Sequence, residues 1–179
     1  MSLELAAMRW LWLEKNCHYV LEQRCTRFWM GLPDVIGVTA GRYMIEIEIK
    51  RTLSDFKADG NKIHRMPETR NKIIKEQPRQ FYYLVPRNLT EKVLPLLPTW
   101  AGLAQPSENG VTIEVVKVSQ INRESRKLSI KECVKLARKM VCHTMGYAQS
   151  CATHYSRFQD KDDQIYIGWV DPKVGTYEI

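Results

Sequence analysis

The chain has 179 residues, 44% of them hydrophobic and 26% charged, with 27 Lys and Arg against 20 Asp and Glu and a formal charge of +7. That length suits one domain with a sizeable core, and the composition excludes a wholly disordered chain, a collagen and a small disulfide scaffold. The positive charge is blocked: residues 50–79 hold nine Lys or Arg against four acids, and residues 121–140 hold seven against two. Such blocks read either as solvated helix faces or as the footprint of a polyanionic partner.

Residues 2–15 contain strong helix formers without Gly or Pro, Ser2 is placed to cap them, and their apolar residues run nearly all the way round, which predicts a well-buried helix. Tyr19, Leu21 and Gln23 alternate with Val20, Glu22 and Arg24 as a strand would. Gly31-Leu32-Pro33 makes a turn, and Asp34–Val38 a short strand. After a second turn at Ala40-Gly41-Arg42, Tyr43–Lys50 shows the clearest periodicity in the chain: Ile45, Ile47 and Ile49 point one way, and Met44, Glu46, Glu48 and Lys50 the other. Its polar side is either functional or a solvated, salt-bridged edge.

Ser54 is expected to cap a helix from Asp55 that Gly60 keeps short. Residues 61–79 are polar and basic, with Pro67 and Pro78 limiting regular structure. Phe81–Val85 reads as a buried strand with Tyr82 and Tyr83 in the core, a helix follows from Thr90, and Val111–Val118 is the last core strand. Ser129 to Glu132 is a capping box opening a long amphipathic helix, with Ile130, Cys133, Val134, Ala137, Met140 and Val141 on its apolar side and Lys131, Lys135, Arg138 and Lys139 outside. Residues 159–163 form a polar loop and 165–170 an edge strand. The expected fold is α/β: a central mixed sheet flanked by helices over residues 1–118, and residues 119–179 as a C-terminal helical extension of the same domain.

Five cysteines, odd in number and without a CxxC pair, predict reduced thiols and a cytoplasmic protein. The N-terminus does not read as a signal peptide, and no apolar run nears the ~18 residues that span a bilayer, so no membrane partner is expected. Cys142, His143, Cys151 and His154 do not have finger spacing, and a zinc tetrad there would need the helix to break near Gly146.

If the second and third strands form a hairpin, Asp34 and Glu48 approach each other on one face. Two carboxylates with the backbone carbonyl of Ile49 make a hard-oxygen site suited to Mg²⁺ or Mn²⁺. Lys50 shares that face and can orient or activate a water, which is the equipment for phosphodiester hydrolysis. Glu46 is compatible with two roles, a third carboxylate at the metal or a partner for Arg51.

Pro33-Asp34, thirteen residues, then Glu48-Ile49-Lys50 resembles the PD-(D/E)XK nuclease superfamily, and the resemblance implies a restriction-endonuclease-like αβββαβ core over residues 1–118, with which the element order agrees. Thr52, Asp55, Phe56 and Asp59 after that strand resemble the S-x-x-D-F-x-x-D of the MmcB-like DNA-repair branch, with Thr52 replacing the serine and Lys62 falling late for that branch's lysine. Phe81–Pro86 and Gly102-Leu103 add to the likeness, which covers residues 1–118. The resemblance implies metal ligands at Asp34 and Glu48, a catalytic Lys50, and an acid from the first helix, for which Glu4 is preferred to Glu14. It implies a metal-dependent deoxyribonuclease in DNA repair, recombination or mobile-element DNA processing, acting on branched, damaged or single-stranded-to-duplex DNA. Arg51, Lys57, Lys62, Arg65, Lys72, Lys75 and Arg79 are expected to grip phosphates without reading bases. A homodimer is compatible with this reading. The competing expectation is an inactive nuclease-fold module that binds nucleic acid or a protein.

Overall fold

The alternation in Tyr43–Lys50 becomes a strand covered on both sides. The protein is described here by a computed structural model covering residues 2–22, 33–60 and 67–159, with backbone alone at 67, 68, 143 and 146–159. In chain order the elements are α1 (Leu3–Leu13), β1 (Cys17–Glu22), β2 (Val35–Thr39), β3 (Met44–Ile49), α2 (Leu53–Gly60), α3 (Pro67–Lys72), β4 (Gln80–Leu84), α4 (Arg87–Val93), β5 (Gly102–Pro106), β6 (Ile113–Lys117) and α5 (Ile130–Gln159), with short 3-10 turns at Ile74–Glu76 and Leu94–Leu96. The six strands form one open mixed sheet in sequential order. β1, β2 and β3 are mutually antiparallel, β4 and β5 continue parallel to β3 through helical crossovers, and β6 returns antiparallel. The first seven elements reproduce αβββα–β order, with α3 added before β4.

All six positions of β3 are buried. Ile45, Ile47 and Ile49 join Ala6, Ala7, Trp10 and Leu11 of α1 in one core layer, where Trp10 meets Tyr82 edge to face at 5.3 Å. On the other face, Met44 packs with Leu128, Cys133 and Leu136, while Phe81, Tyr83 and Leu103 pack with Phe56 of α2 and Val93 of α4. Glu46, Glu48 and Lys50 lie between those two clusters, each at most 5% exposed.

Several expectations shift. Ser2 does cap α1, accepting from the Leu5 N–H at 3.2 Å, but Leu5, Trp12 and Leu13 are exposed, so only one face is buried. Thr52, not Ser54, caps α2, its hydroxyl accepting from Asp55 N–H at 3.1 Å. α4 begins at Arg87, three residues before Thr90, because Pro86 sets the turn that starts it. β5 was missed: Gly102-Leu103-Ala104 is short, small and flanked by Pro98 and Pro106, and only pairing with β4 makes it a strand. In α5 the buried stripe is Cys133 and Leu136, with Met140 packed against it, whereas Ile130, Val134 and Val141 are exposed. α5 runs through Gly146 unbroken, which removes the break a zinc tetrad required.

Residues 1–142 form one compact unit and residues 143–179 a second. Residues 119–142 therefore belong with the sheet: Asn122 N–H donates to Arg79 C=O, Arg126 N–H to Lys75 C=O, and Leu128 N–H to Arg42 C=O. Cys17, Cys133 and Cys142 are free thiols, and burial pushes Cys17 up to about 11. Among the described residues no helix is long and apolar enough to cross a membrane. The expected turn at Gly31-Leu32, Gln23, Lys62, Arg65 and the strand at 165–170 lie outside the described residues.

Two predictions follow from the packing. A Cβ on Gly102 would sit 2.8 Å from the Ser119 backbone nitrogen and clash with the edge of the Tyr82 ring, so Gly102→Ala should lower stability by about 1–3 kcal/mol in urea unfolding. The capping box at the head of α5 is reciprocal, with Ser129 N–H donating to Glu132 at 2.7 Å and Glu132 N–H to the Ser129 hydroxyl at 3.2 Å. Hydrogen bonds from Arg126 hold the Glu132 carboxyl down to about 2, burial opposing and Ser129 assisting. A depressed carboxylate contributes stability that is complete above its ordinary 4.5 and vanishes as pH falls toward about 2. Glu132→Gln should therefore cost about 1 kcal/mol at neutral pH, and unfolding curves of the two proteins should converge across that acid window.

Candidate active site

The site begins with the register of β2 against β3. Val35 pairs with Ile47 and Ile36 with Glu46, so one further step sets Asp34 opposite Glu48. Residues facing each other across antiparallel strands have Cβ atoms about 5 Å apart, on the same side of the sheet. Lys50 N–H donates to Leu84 C=O at 3.0 Å on the β4 side, which turns Ile49 N–H toward β2. There the Asp34 carboxylate accepts it at 2.7 Å. Asp34 thus extends the ladder with its side chain where β2 itself has not yet begun.

Two residues beyond Glu48 on the same face, Lys50 is 4% exposed. Its ammonium lies 2.8 Å from Glu48 Oε1, 3.1 Å from Asp59 Oδ1 and 3.8 Å from Asp55 Oδ1. Burial acts to lower the Lys50 pKa, but hydrogen bonds and charge from Glu48 and Asp59 outweigh it, and the net shift is upward. Lys50 is therefore a firmly protonated cation, placed to donate hydrogen bonds and offset negative charge.

Asp59 belongs to this buried cluster and was omitted from the site assignment made from sequence. Thr52 caps α2, and Phe56 and Asp59, three apart, then fall on its inner face. Phe56 packs edge-on to Tyr83 at 4.9 Å, and the Tyr83 hydroxyl donates to Asp59 Oδ2 at 2.7 Å. The T-x-x-D-F-x-x-D pattern was the available signal: its phenylalanine docks the helix and its last aspartate meets the lysine.

The remaining assigned residues divide. Glu4 pairs with Arg51 at 2.7 Å; burial opposes ionisation, yet backbone and Arg51 hydrogen bonds hold its carboxyl below the ordinary value. Glu14 accepts from Thr112 at 3.0 Å. Glu46 is buried beside Glu48 on the same face. Lys57, Lys72 and Lys75 are exposed, Arg79 is half-buried, and Tyr82 and Tyr83 are core residues. Among the described residues no group of three or more His, Cys, Asp or Glu side chains converges on a metal position. A pair of facing carboxylates with the Ile49 carbonyl still fits a hard divalent ion, because Mg²⁺ keeps several waters and takes one or two protein carboxylates plus substrate phosphate. A surface pocket lined by Arg87, Asn88, Thr90, Glu91, Gln105 and Val116 shares none of these residues.

No family profile matches the chain, and no curated protein matches it. In fold it is similar to SPO1766, a solved protein of unknown function from Silicibacter pomeroyi, with a TM-score of 0.50 and 18% identity over 78% of this chain and 83% of that one. Likeness at that identity concerns fold alone.

Removing one partner of a buried ion pair strands the other charge, so Asp59→Ala should lower stability by about 3 kcal/mol and Tyr83→Phe by about 1 kcal/mol. Because both act on one linkage, urea unfolding of the double variant should show a loss smaller than the sum by at least ~0.5 kcal/mol. Strict additivity would contradict the linkage.

Proposed function

We propose that this chain is a metal-dependent nuclease that hydrolyses DNA phosphodiester bonds in the cytoplasm, in DNA repair, recombination or mobile-element DNA processing. The observation that carries the reading is the placement of Asp34 opposite Glu48, with Lys50 two positions on, at one end of β3. Asp34, Glu48 and the Ile49 carbonyl would hold Mg²⁺ or Mn²⁺. When bound, such an ion supplies a water nucleophile at neutral pH and Lewis-acid stabilisation of phosphate charge. Lys50, kept protonated and pinned by Asp59, donates to a phosphate oxygen and orients the attacking water. The Asp34 hydrogen bond to Ile49 N–H fixes that carboxylate, so little reorganisation accompanies the reaction. Exposed Arg51, Lys57, Lys72 and Lys75 supply charge for the backbone of branched, damaged or single-stranded-to-duplex DNA.

A second reading, a module of this fold that binds nucleic acid or a protein without cutting, is favoured by one observation. Glu48 and Lys50 are each 4% exposed and paired with each other.

The test is incubation of plasmid, single-stranded and branched DNA with Mg²⁺ or Mn²⁺. Wild type should cleave, chelation should abolish cleavage, and Glu48→Ala and Lys50→Ala should each cut at least ~100-fold more slowly. Variants as active as wild type would remove the site assignment. Tight binding without cleavage by wild type would establish the second reading.

A further inference from the structure

The two basic blocks of the sequence meet in space. Residues 74–79 and 122–126 are joined by backbone bonds from Asn122 to Arg79 and from Arg126 to Lys75, and the Asn122 side chain donates to Ile74 C=O at 2.8 Å. The junction lies at the N-terminal ends of β3 and β4, where Arg79 N–H donates to Met44 C=O. The carboxylate site occupies the other end of β3, six strand positions away, or about 20 Å.

Tyr43 is the centre of this junction. The Arg79 guanidinium lies over its ring at 4.2 Å and the Lys127 ammonium at 5.5 Å. Arg42 precedes it, and Leu128 N–H to Arg42 C=O holds the Lys127 segment alongside. Among the described residues no carboxylate lies within ion-pair distance of Arg42, Arg79 or Lys127. The nearby acids Glu76 and Glu132 are both turned to Arg126, at 2.9 and 2.8 Å. Two cations thus lie over one aromatic ring, with Arg42 adjacent in the chain, and among the described residues none of the three has a carboxylate within ion-pair distance.

Arg42 adds an independent observation. It closes the loop between β2 and β3 with φ at 65°, where Arg42 N–H donates to Thr39 C=O at 2.8 Å and Thr39 N–H to Tyr43 C=O at 3.0 Å. The left-handed position ending a three-residue hairpin loop favours glycine, so an arginine there is strained. Observed strain of this kind supports a role for the side chain rather than for the turn.

We propose that Arg79 and Lys127, which lie over Tyr43, together with Arg42 of the adjoining loop, form a second contact site for the phosphate backbone of nucleic acid, separate from the carboxylate site. The inference rests on the nucleic-acid half of the function proposed above and needs no cleavage. A ligand touching both ends of β3 must extend about 20 Å, roughly six steps of a duplex. Arg79 and Lys127 bind through charge, with Tyr43 limiting their freedom before the ligand arrives.

The test measures binding of a fluorescein-labelled 24-base-pair duplex by anisotropy, in EDTA so that no cleavage intervenes. The double variant Arg79→Ala/Lys127→Ala should bind at least tenfold more weakly, and the log–log salt slope should fall by about 2. Arg42→Gly should weaken binding severalfold while its melting temperature stays equal to or above that of wild type, which a merely structural role for Arg42 does not produce. Unchanged affinity and salt slope in the double variant would overturn the proposal, as would absence of duplex binding by wild type. A variant that loses affinity for poly-glutamate and not for duplex would assign the cluster to an acidic protein instead and also overturn it. Wild type that binds duplex through these residues but never cleaves leaves this inference standing and removes the nuclease reading. Cleavage by wild type with no change in binding by the variants does the reverse.

Discussion

A lysine ammonium closed off from water organises the interior of this protein. Lys50 can stay charged at 4% exposure only because Glu48 and Asp59 approach it at 2.8 and 3.1 Å. Those contacts impose constraints in three directions. Glu48 must share the face of Lys50, which β-alternation guarantees; α2 must dock so that its last turn reaches the sheet; and Tyr83 must present its hydroxyl to the second oxygen of Asp59. The sheet face between the two apolar clusters is thus polar by construction, and its polar groups are held by one another. An isolated charge there would be several kcal/mol too costly, so the cluster stands or falls as a unit.

The same linkage bears on chemistry. In the proposed function, a cation whose position is set before substrate arrives would stabilise charge on a phosphate. It is also suited to holding a sheet together, since the contacts that orient Lys50 anchor α2 onto β3 and β4. Site and scaffold share these residues, and substitutions at Asp59 or Tyr83 act on both.

Charge at the opposite end of β3 has a different character. Arg126 is saturated by Glu76 and Glu132 and works as a structural clasp between the two basic segments. Arg79 and Lys127 lie over Tyr43, and among the described residues no carboxylate lies within ion-pair distance of either. One surplus of positive charge therefore contains two populations among the described residues, one paired with carboxylates of the fold and one not, and composition alone treats them alike.

Much was legible in the sequence because it is carried by local periodicity and local chemistry. Alternation in Tyr43–Lys50 put Glu48 and Lys50 on one face, the Ser129–Glu132 box started α5, and Ser2 capped α1; none of these needs a distant partner. The approach of Asp34 to Glu48 was legible only on condition that the two strands pair as a hairpin across the Ala40-Gly41 turn, and the register of β2 on β3 meets that condition. What sequence left undetermined is what depends on long-range pairing. β5 is a strand only because β4 lies beside it. The covered stripe of α5 is Cys133 and Leu136, with Met140, rather than Ile130, Val134 and Val141, because the neighbouring strands reach only part of an apolar arc. Asp59 became a partner of Lys50, and the basic blocks one surface, through contacts between residues nine and about fifty positions apart. Sequence by itself determined α1, β2, β3, β4 and the head of α5, and the faces of β3, since period and capping are properties of neighbouring residues. The tertiary structure alone decided which buried charges meet, because those pairings are selected by the packing of the whole sheet.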